Sequence, residues 1–313
     1  MCVGVFSLWA GGKNPNLPLA NSGSNKLGIA YDQTVSSSKP KPGKRGAGQI
    51  RKTVPVEGQD FNFGLGNVSG FGDGTIPVKM KWIPAGTFQM GSTAATDPDR
   101  YDDETLHTVT LTKGYWMMET EVTQEMYYAV MGWGRGTAYF RDPKNPMEGV
   151  MWRDAYDFCR EIVKNSLVTT FFDLSGFEFR LPTEAEWEYA CRAGTTTAVY
   201  VDYGDRNREL DAIAWWDLNS TNGTRNVRQK LPNARGLYDM IGNVGEWCWD
   251  WYDDYPTGSV TDPTGPSSGY FRVNRGGSWL GDAGGSRSAL RYGFYPDSRY
   301  DNLGFRPALS SVR

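Results

Sequence analysis

The sequence predicts an α+β fold with two helices, short irregular strands and many loops. The first helix is expected over residues 152–165, where apolar residues recur at the spacing of one helical face. The second begins after Thr183, which can cap a helix, because Glu186 three residues later can close a capping box. Tyr, Trp and Gly are plentiful throughout, which is typical of compact folds that are rich in loops.

Short runs of strand character surround these two helices. Residues 82–91 predict a strand followed by a turn, and 109–111 and 115–122 predict two further strands. His107 belongs to an alternating run and is expected to be a strand side chain. After Ala193 no further long helix is predicted.

The first quarter of the chain differs in amino-acid composition from the rest. Residues 36–44 are rich in Ser, Lys, Pro and Gly, and residues 64–74 are rich in Gly. We therefore predict an N-terminal extension or linker over 1–76 that packs partly on the main domain, which spans 77–313.

Composition excludes several classes of protein. The 313 residues carry a formal net charge of −3, so no basic surface is expected and nucleic acid is not a predicted partner. No apolar run approaches the ~18 residues of a membrane span, so no transmembrane segment is predicted. Because His107 is the only histidine, neither an iron site with two histidines nor a Ser-His-Asp triad without His107 can be built within the chain.

The four cysteines do not have the spacing of a zinc site or a disulfide framework. Cys159, Cys191 and Cys248 are expected to be small buried residues. Cys2 precedes a polar segment, as the acylated cysteine of a processed bacterial lipoprotein does. We therefore expect a lipid anchor at Cys2 and a location at the bacterial cell surface.

Seven short motifs in the second part of the chain identify a family. Together they resemble the formylglycine-generating enzyme (sulfatase-modifying factor) family, whose fold is related to the C-type lectin fold. The resemblance predicts that fold for about three-quarters of the chain. The motifs occur in family order at residues 82–91, 121–123, 146–155, 180–190 (RLPTEAEWEYA), 236–247 (GLYDMIGNVGEW), 275–279 (RGGSW) and 303–306 (LGFR).

The same resemblance argues against the family's activity. Family enzymes oxidise a substrate cysteine with two cysteines located just after the RGGSW motif, where thiolate or copper chemistry requires them. Aligned on that motif, their positions fall near Gly281 and Ser286, and no cysteine follows Cys248. Glycine has no nucleophile, and a serine without a base is a poor one. We therefore expect no enzymatic activity and no catalytic residues.

The resemblance also implies a structural Ca²⁺ ion. Asn243 and Glu246 stand where family members bind calcium, and their oxygen atoms suit this hard ion. Hydrogen bonding within a loop is the alternative role for the same two residues. No other cofactor is expected.

Residues 280–302, called the variable segment below, have an unusual composition. The segment lacks Lys, Glu, Gln, Met and Trp, although these make up roughly one in six residues of the chain, so their absence has a chance probability on the order of 1%. These five types are the ones that a codon ending in C cannot encode. Adenine-specific mutagenesis of AAC codons in diversity-generating retroelements leaves such a composition, and the targets of these elements include proteins of the same lectin-like fold.

Fourteen residues of the variable segment follow no helical or strand period, and each can be reached from an AAC codon by changing only adenines. The residues between them look like framework. The types of the fourteen resemble those of antibody loops, in which Tyr supplies rigid contact area and Ser, Gly and Asn supply adaptable hydrogen bonds. We predict that Tyr292, Phe294, Tyr295 and Tyr300 are exposed together. The predicted ligand-binding residues are Leu280, Gly281, Asp282, Gly285, Ser286, Leu290, Tyr292, Gly293, Phe294, Tyr295, Ser298, Tyr300, Asp301 and Asn302.

The sequence thus predicts a non-enzymatic, monomeric ligand-binding protein whose partner is a protein or other macromolecule. A second interpretation is a catalytically inactive relative of the formylglycine-generating enzymes that assists another enzyme. A third interpretation, an enzyme of unrecognised chemistry, is not supported by any recognisable set of catalytic residues in the sequence.

Overall fold

Strands that are buried on both faces organise the structure, a computed structural model that describes residues 52–66, 74–132, 138–202 and 204–312. All four residues of the strand at Tyr115–Met118 are buried, and their side chains alternate between two hydrophobic cores. The twelve strands of the described residues are β1 Phe61–Leu65, β2 Ile76–Ile83, β3 Gly86–Met90, β4 His107–Leu111, β5 Tyr115–Met118, β6 Phe177–Arg180, β7 Gly245–Trp251, β8 Val260–Thr261, β9 Arg272–Arg275, β10 Arg291–Phe294, β11 Leu303–Phe305 and β12 Ala308–Ser311.

The strands form three sheets in the described part of the chain. The largest has the order β1-β2-β5-β12-β6, with antiparallel pairs throughout. The second has the order β10-β9-β7-β11, in which β11 runs parallel to β7. The third has the order β3-β4-β8. The short curled sheets and long connections confirm the predicted α+β, loop-rich class, and His107 lies at the start of β4 as predicted.

Five α-helices occur in the described residues, so the prediction of two was wrong in number. The three that were missed are too short for an apolar period to show: α1 Gln124–Met131, α3 Ser166–Phe171 and α5 Arg206–Ile213. The two predicted helices are α2 Trp152–Glu161 and α4 Glu184–Arg192.

The ends of the two predicted helices were predicted with unequal success. Thr183 caps α4, and Glu186 accepts from the Thr183 N–H, as the capping box predicts. The helix predicted over 152–165 ends at Glu161 instead. A 3₁₀ turn follows at Ile162–Lys164, and Asn165 then caps α3 through the Leu167 N–H. A local cap therefore overrides the apolar period.

Two hydrophobic cores lie on either side of the central strands. One includes β1, β2 and residues of α1 and α2, and the other includes α4, α5 and β4. Cys159, Cys191 and Cys248 are buried in these cores, as predicted. Burial raises the pKa of each of the three thiols, so none is a reactive thiolate at neutral pH.

The described part of the predicted extension contributes to this architecture. Strand β1 pairs with β2 along its whole length and places Phe63 and Leu65 in the core. The described residues all belong to one compact unit, Gln49–Arg313. Residues 1–51, including Cys2, lie outside the described residues, and the predicted boundary at 76 stays a prediction. No helix among the described ranges has the length and apolarity that crossing a bilayer requires.

Candidate ligand-binding surface

The variable segment begins after β9 and ends where β11 starts, and it contains the edge strand β10. Gly277 of the RGGSW motif allows the segment to pack against the turn that precedes it. A Cβ atom at position 277 would lie 2.1 Å from the Gly285 carbonyl oxygen, and the φ of +68° also favours glycine. The motif glycine thus fixes how the segment leaves the scaffold.

Arg287 anchors the first half of the segment. Its guanidinium donates to Asp97 at 2.7 Å and to both oxygens of Glu104 at 2.7 and 2.8 Å, and all three side chains are buried. Burial opposes ionisation of Glu104, but the hydrogen bonds from Arg287 and Ser92 outweigh it and hold its pKa below the ordinary value. The pair is therefore ionic and ties the segment to a loop that is 183 residues away in the sequence.

Arg291 anchors the second half. Its Nε and Nη2 atoms donate to the two oxygens of Glu184 at 2.8 Å each. Arg275 of the RGGSW motif shares Glu184 at 2.9 Å and also pairs with Glu188. Two adjacent guanidinium groups thus lie between two carboxylates in the core, which fixes where β10 lies on β9.

Eleven of the fourteen predicted binding residues reach the surface, and these are called the variable face. Five are exposed: Leu280, Asp282, Tyr292, Tyr295 and Tyr300. Six are half-buried: Gly281, Gly293, Phe294, Ser298, Asp301 and Asn302.

Three aromatic rings of the variable face form a row. Tyr292 stacks on Phe294 at 6.4 Å between ring centroids, and Phe294 contacts Tyr300 at 4.9 Å. Phe294 also approaches Trp247 of the core, so it supports the two exposed tyrosines and is itself less exposed than predicted. Tyr295 packs on Phe271, with centroids 4.6 Å apart.

Three of the fourteen residues do not face solvent. Gly285, Ser286 and Leu290 are buried, and the exposed fraction of Leu290 and Ser286 is 0%. Ser286 lies beside Arg287 and Leu290 beside Arg291, in the part of the segment that the two ion-paired arginines draw inward. The burial of Ser286 and Leu290 does not fit direct contact with a ligand, because a residue type that fits an AAC-derived codon does not indicate depth.

Gly281 and Ser286, near which the resemblance places the family's two cysteines, are adjacent in space. A Cβ atom at Gly281 would lie 3.4 Å from the Ser286 Oγ atom. That hydroxyl is buried and has no hydrogen-bond partner in the described residues. These two positions are thus close together, but neither side chain carries a thiol.

Asn243 and Glu246 do not fit a calcium site. The Asn243 Oδ1 atom accepts from the Arg225 N–H at 2.9 Å, and Nδ2 donates to Glu121. The Glu246 carboxylate pairs with Arg306 at 2.8 Å and accepts from the Trp187 indole at 2.7 Å. A cation would have to displace these donors. Over the described ranges, no group of three or more His, Cys, Asp or Glu could hold a metal ion.

Sequence reasoning missed one neighbour of the variable face, residues 97–104, called the acidic loop below. Tyr101 is 47% exposed, lies next to Tyr292 and covers the Arg287 guanidinium, which is 5.3 Å from its ring centroid. Burial raises the pKa of Tyr292 to about 12, and the neighbouring Tyr101 makes a smaller contribution in the same direction. The run of aspartates in DPDRYDDE was the available signal, but nothing in the sequence indicated which residues it would contact.

The fold and this surface define a class of protein: an α+β, lectin-like scaffold on which ion-paired arginines hold a segment that faces solvent. The chain belongs to the family of sulfatase-modifying factor enzyme 1-like domains, whose model matches residues 74–311.

Comparisons with known proteins agree with this class. Treponema denticola variable protein 1 has a similar structure, with a TM-score of 0.66 and 34% identity over 80% of this chain and 98% of that one. The formylglycine-generating enzyme of Streptomyces coelicolor is 37% identical over 53% of each chain, so the match spans about half of that enzyme. The mouse protein named inactive C-alpha-formylglycine-generating enzyme 2 is 33% identical over 56% of each chain.

Proposed function

We propose that this protein is a non-enzymatic receptor or adhesin that binds a macromolecular ligand through the variable face, and that a retroelement diversifies the variable segment. A protein is the expected ligand, because the face offers adjacent tyrosine rings with carboxylate and amide groups around them.

One observation carries the proposal. Within a 23-residue segment that lacks every type a codon ending in C cannot encode, eleven of the fourteen predicted binding residues lie at the surface. The residues that look like framework and are buried are Arg287, Ser288, Ala289 and Arg291. A segment under ordinary selection has no reason to combine this codon restriction with this division between surface and core. A segment diversified on a fixed scaffold does, because exposed side chains can change with little effect on the core.

The absence of thiols supports the non-enzymatic part of the proposal. Gly281 and Ser286 stand near the positions where the resemblance places the family's cysteines, and the described cysteines are buried with raised pKa values. A ligand can therefore contact the variable face without meeting a nucleophile of the family's type.

Sequencing the locus in several isolates tests the proposal. We expect a nearly identical template repeat beside a reverse-transcriptase gene, with differences at adenines within codons 280–302. Codons for Arg287, Ser288 and Arg291 serve as the internal control and should not vary. Identical codons across isolates, or variation spread evenly over the segment, would contradict the proposal.

An inactive relative that assists another enzyme is the second candidate. The closeness of positions 281 and 286 and the similarity to the mouse inactive enzyme favour it. This candidate predicts a constant variable segment and co-purification with a constant enzyme partner. The retroelement proposal predicts neither.

The proposed role also requires a location and a state of assembly that can be measured. A receptor must meet its ligand, so we propose display at a bacterial cell surface, and we propose a monomer. Surface biotinylation of intact cells, mass spectrometry of acylation at Cys2, and light scattering of the purified protein test these three points. A dimer at micromolar concentration would remove the monomer assignment.

A further inference from the structure

Buried ion pairs fix the acidic loop to the variable segment, as they fix the segment to the core. Arg287 binds Asp97 and Glu104 near its two ends, and Glu104 also accepts from Ser92 at 2.7 Å. Asp103 accepts a hydrogen bond from the hydroxyl of Tyr252, the residue that follows β7. The loop therefore forms a fixed wall beside side chains that the proposed function makes exchangeable.

This wall and the variable face share one continuous surface. Tyr101 and Tyr292 are 47% and 39% exposed and lie next to each other. Asp99 and Asp282 flank the same glycine, because a Cβ atom at Gly284 would lie 3.9 Å from the Asp99 Cβ and 3.5 Å from the Asp282 Oδ1. Two aromatic rings thus stand among carboxylates contributed by both elements.

The charge of this surface is strongly negative. Its guanidinium groups are those of Arg100 and Arg287, and Arg287 is buried beneath Tyr101. Asp99 and Asp102 are exposed. Asp282 is exposed as well and Asp103 is half-buried, whereas Asp97 and Glu104 are buried and paired with Arg287.

The carboxyl groups are spread too widely for a single metal ion. Across the described residues, no three of them could hold one. Carboxylates distributed around exposed tyrosine rings instead complement an extended cationic partner, whose ammonium or guanidinium groups can lie over a ring and pair with a carboxylate at its rim.

We propose that the acidic loop is a constant part of the ligand-binding surface and that it recognises a Lys- or Arg-rich segment of a protein ligand. The inference rests on the proposed function, because it takes the variable face as the other half of the surface. It adds a property that all ligands should share whatever the variable residues are: a basic segment placed beside the residues that the variable face selects.

A random-peptide phage library selected on the immobilised full-length chain supplies the probe. The most enriched peptide is then synthesised with a fluorescein label and titrated by anisotropy. We expect Lys and Arg to be enriched, and we expect the Kd to rise at least tenfold between 50 and 500 mM NaCl, since exposed charges are screened. Enrichment of peptides without basic residues would overturn the inference.

Substitutions locate the binding. Asp99→Asn/Asp102→Asn should raise the Kd of the enriched peptide about tenfold, which equals ~1.4 kcal/mol. The matched control, Asp173→Asn/Glu178→Gln, changes the charge equally at exposed residues outside the acidic loop and should leave the Kd within twofold. Thermal melting of both double variants checks that folding is unchanged.

A third variant separates the two proposals. If Tyr292→Ser/Tyr300→Ser abolishes binding but Asp99→Asn/Asp102→Asn does not change it, the variable face binds ligand and the acidic loop does not, so the inference fails alone. If no variant changes binding, or no peptide is enriched, the proposed function fails together with the inference.

Discussion

The variable segment contains two regions that are adjacent in sequence and opposite in environment. From Ser286 to Arg291 every side chain is buried, and two arginines are bound by carboxylates from distant parts of the chain. From Tyr292 to Asn302 every residue is exposed or half-buried. The comparison shows that one segment can contain both a buried, ion-paired part and a surface part. The buried part fixes the position of the segment, so the surface residues can change.

The largest effect on stability is expected when the ion pairs of the buried part are removed. Arg287→Met should lower the free energy of unfolding by about 3–5 kcal/mol, because it leaves Asp97 and Glu104 buried without their partner. Denaturant titration measures the change. Arg299→Met, at a partly exposed pair with Asp154, is the matched control and should cost at most about 1 kcal/mol. Equal losses from both variants would break the distinction between the two regions.

Leu290 offers a sharper test, because its codon predicts exchange and its burial predicts constancy. Leu290→Ala should cost about 2–5 kcal/mol, since the methyl groups are removed from a fully buried site. Leu280→Ala is the control, because the same side chain is 60% exposed there. If both variants unfold at the same denaturant concentration, burial is not what separates these positions.

Glu148 makes the stability of the protein depend on pH, and Asp301 of the variable face contributes to this dependence. Burial, with a smaller contribution from Asp301 of the variable face, raises the pKa of Glu148 to about 7. The folded state therefore favours the proton. The resulting stability is fully present below about pH 4.5 and is lost as the pH rises through 7.

Glu148→Gln stays neutral at every pH, and this removes the dependence. We expect the wild type to lose on the order of 1 kcal/mol relative to the variant between pH 5 and pH 8. Chemical denaturation at several pH values measures the difference. Parallel stability curves for the two proteins would show that Glu148 has an ordinary pKa. Asp301→Asn should move the wild-type transition to lower pH.

The smallest effect is expected on the variable face itself. Tyr295→Ser and Tyr300→Ser should each change stability by no more than about 0.5 kcal/mol, because 57% and 45% of these side chains are already exposed. Differential scanning fluorimetry is sufficient for this comparison. A large fall in the melting temperature for either variant would mean that the exposed tyrosines belong to the scaffold.

Sequence reasoning identified the scaffold well and the depth of individual residues less well. The motif around Arg180 and Thr183 correctly predicted a capped helix, and the arginines of RGGSW and LGFR bridge distant parts of the chain. The short helices α1, α3 and α5 were missed because eight or fewer residues do not display a reliable period. The acidic loop was missed because its partner, Arg287, is remote in sequence.

The sequence by itself determined the family, the α+β class and the absence of cysteines after Cys248, because each follows from residue types and their local spacing. Tertiary structure alone decided that Leu290 and Ser286 point inward, that Tyr292 and Tyr101 meet, and that Glu246 is bound by Arg306. Those outcomes depend on which distant side chain neutralises or covers a group. Burial and charge pairing are set by neighbours in space, and residues 183 positions apart carry no mark of their contact in the local sequence.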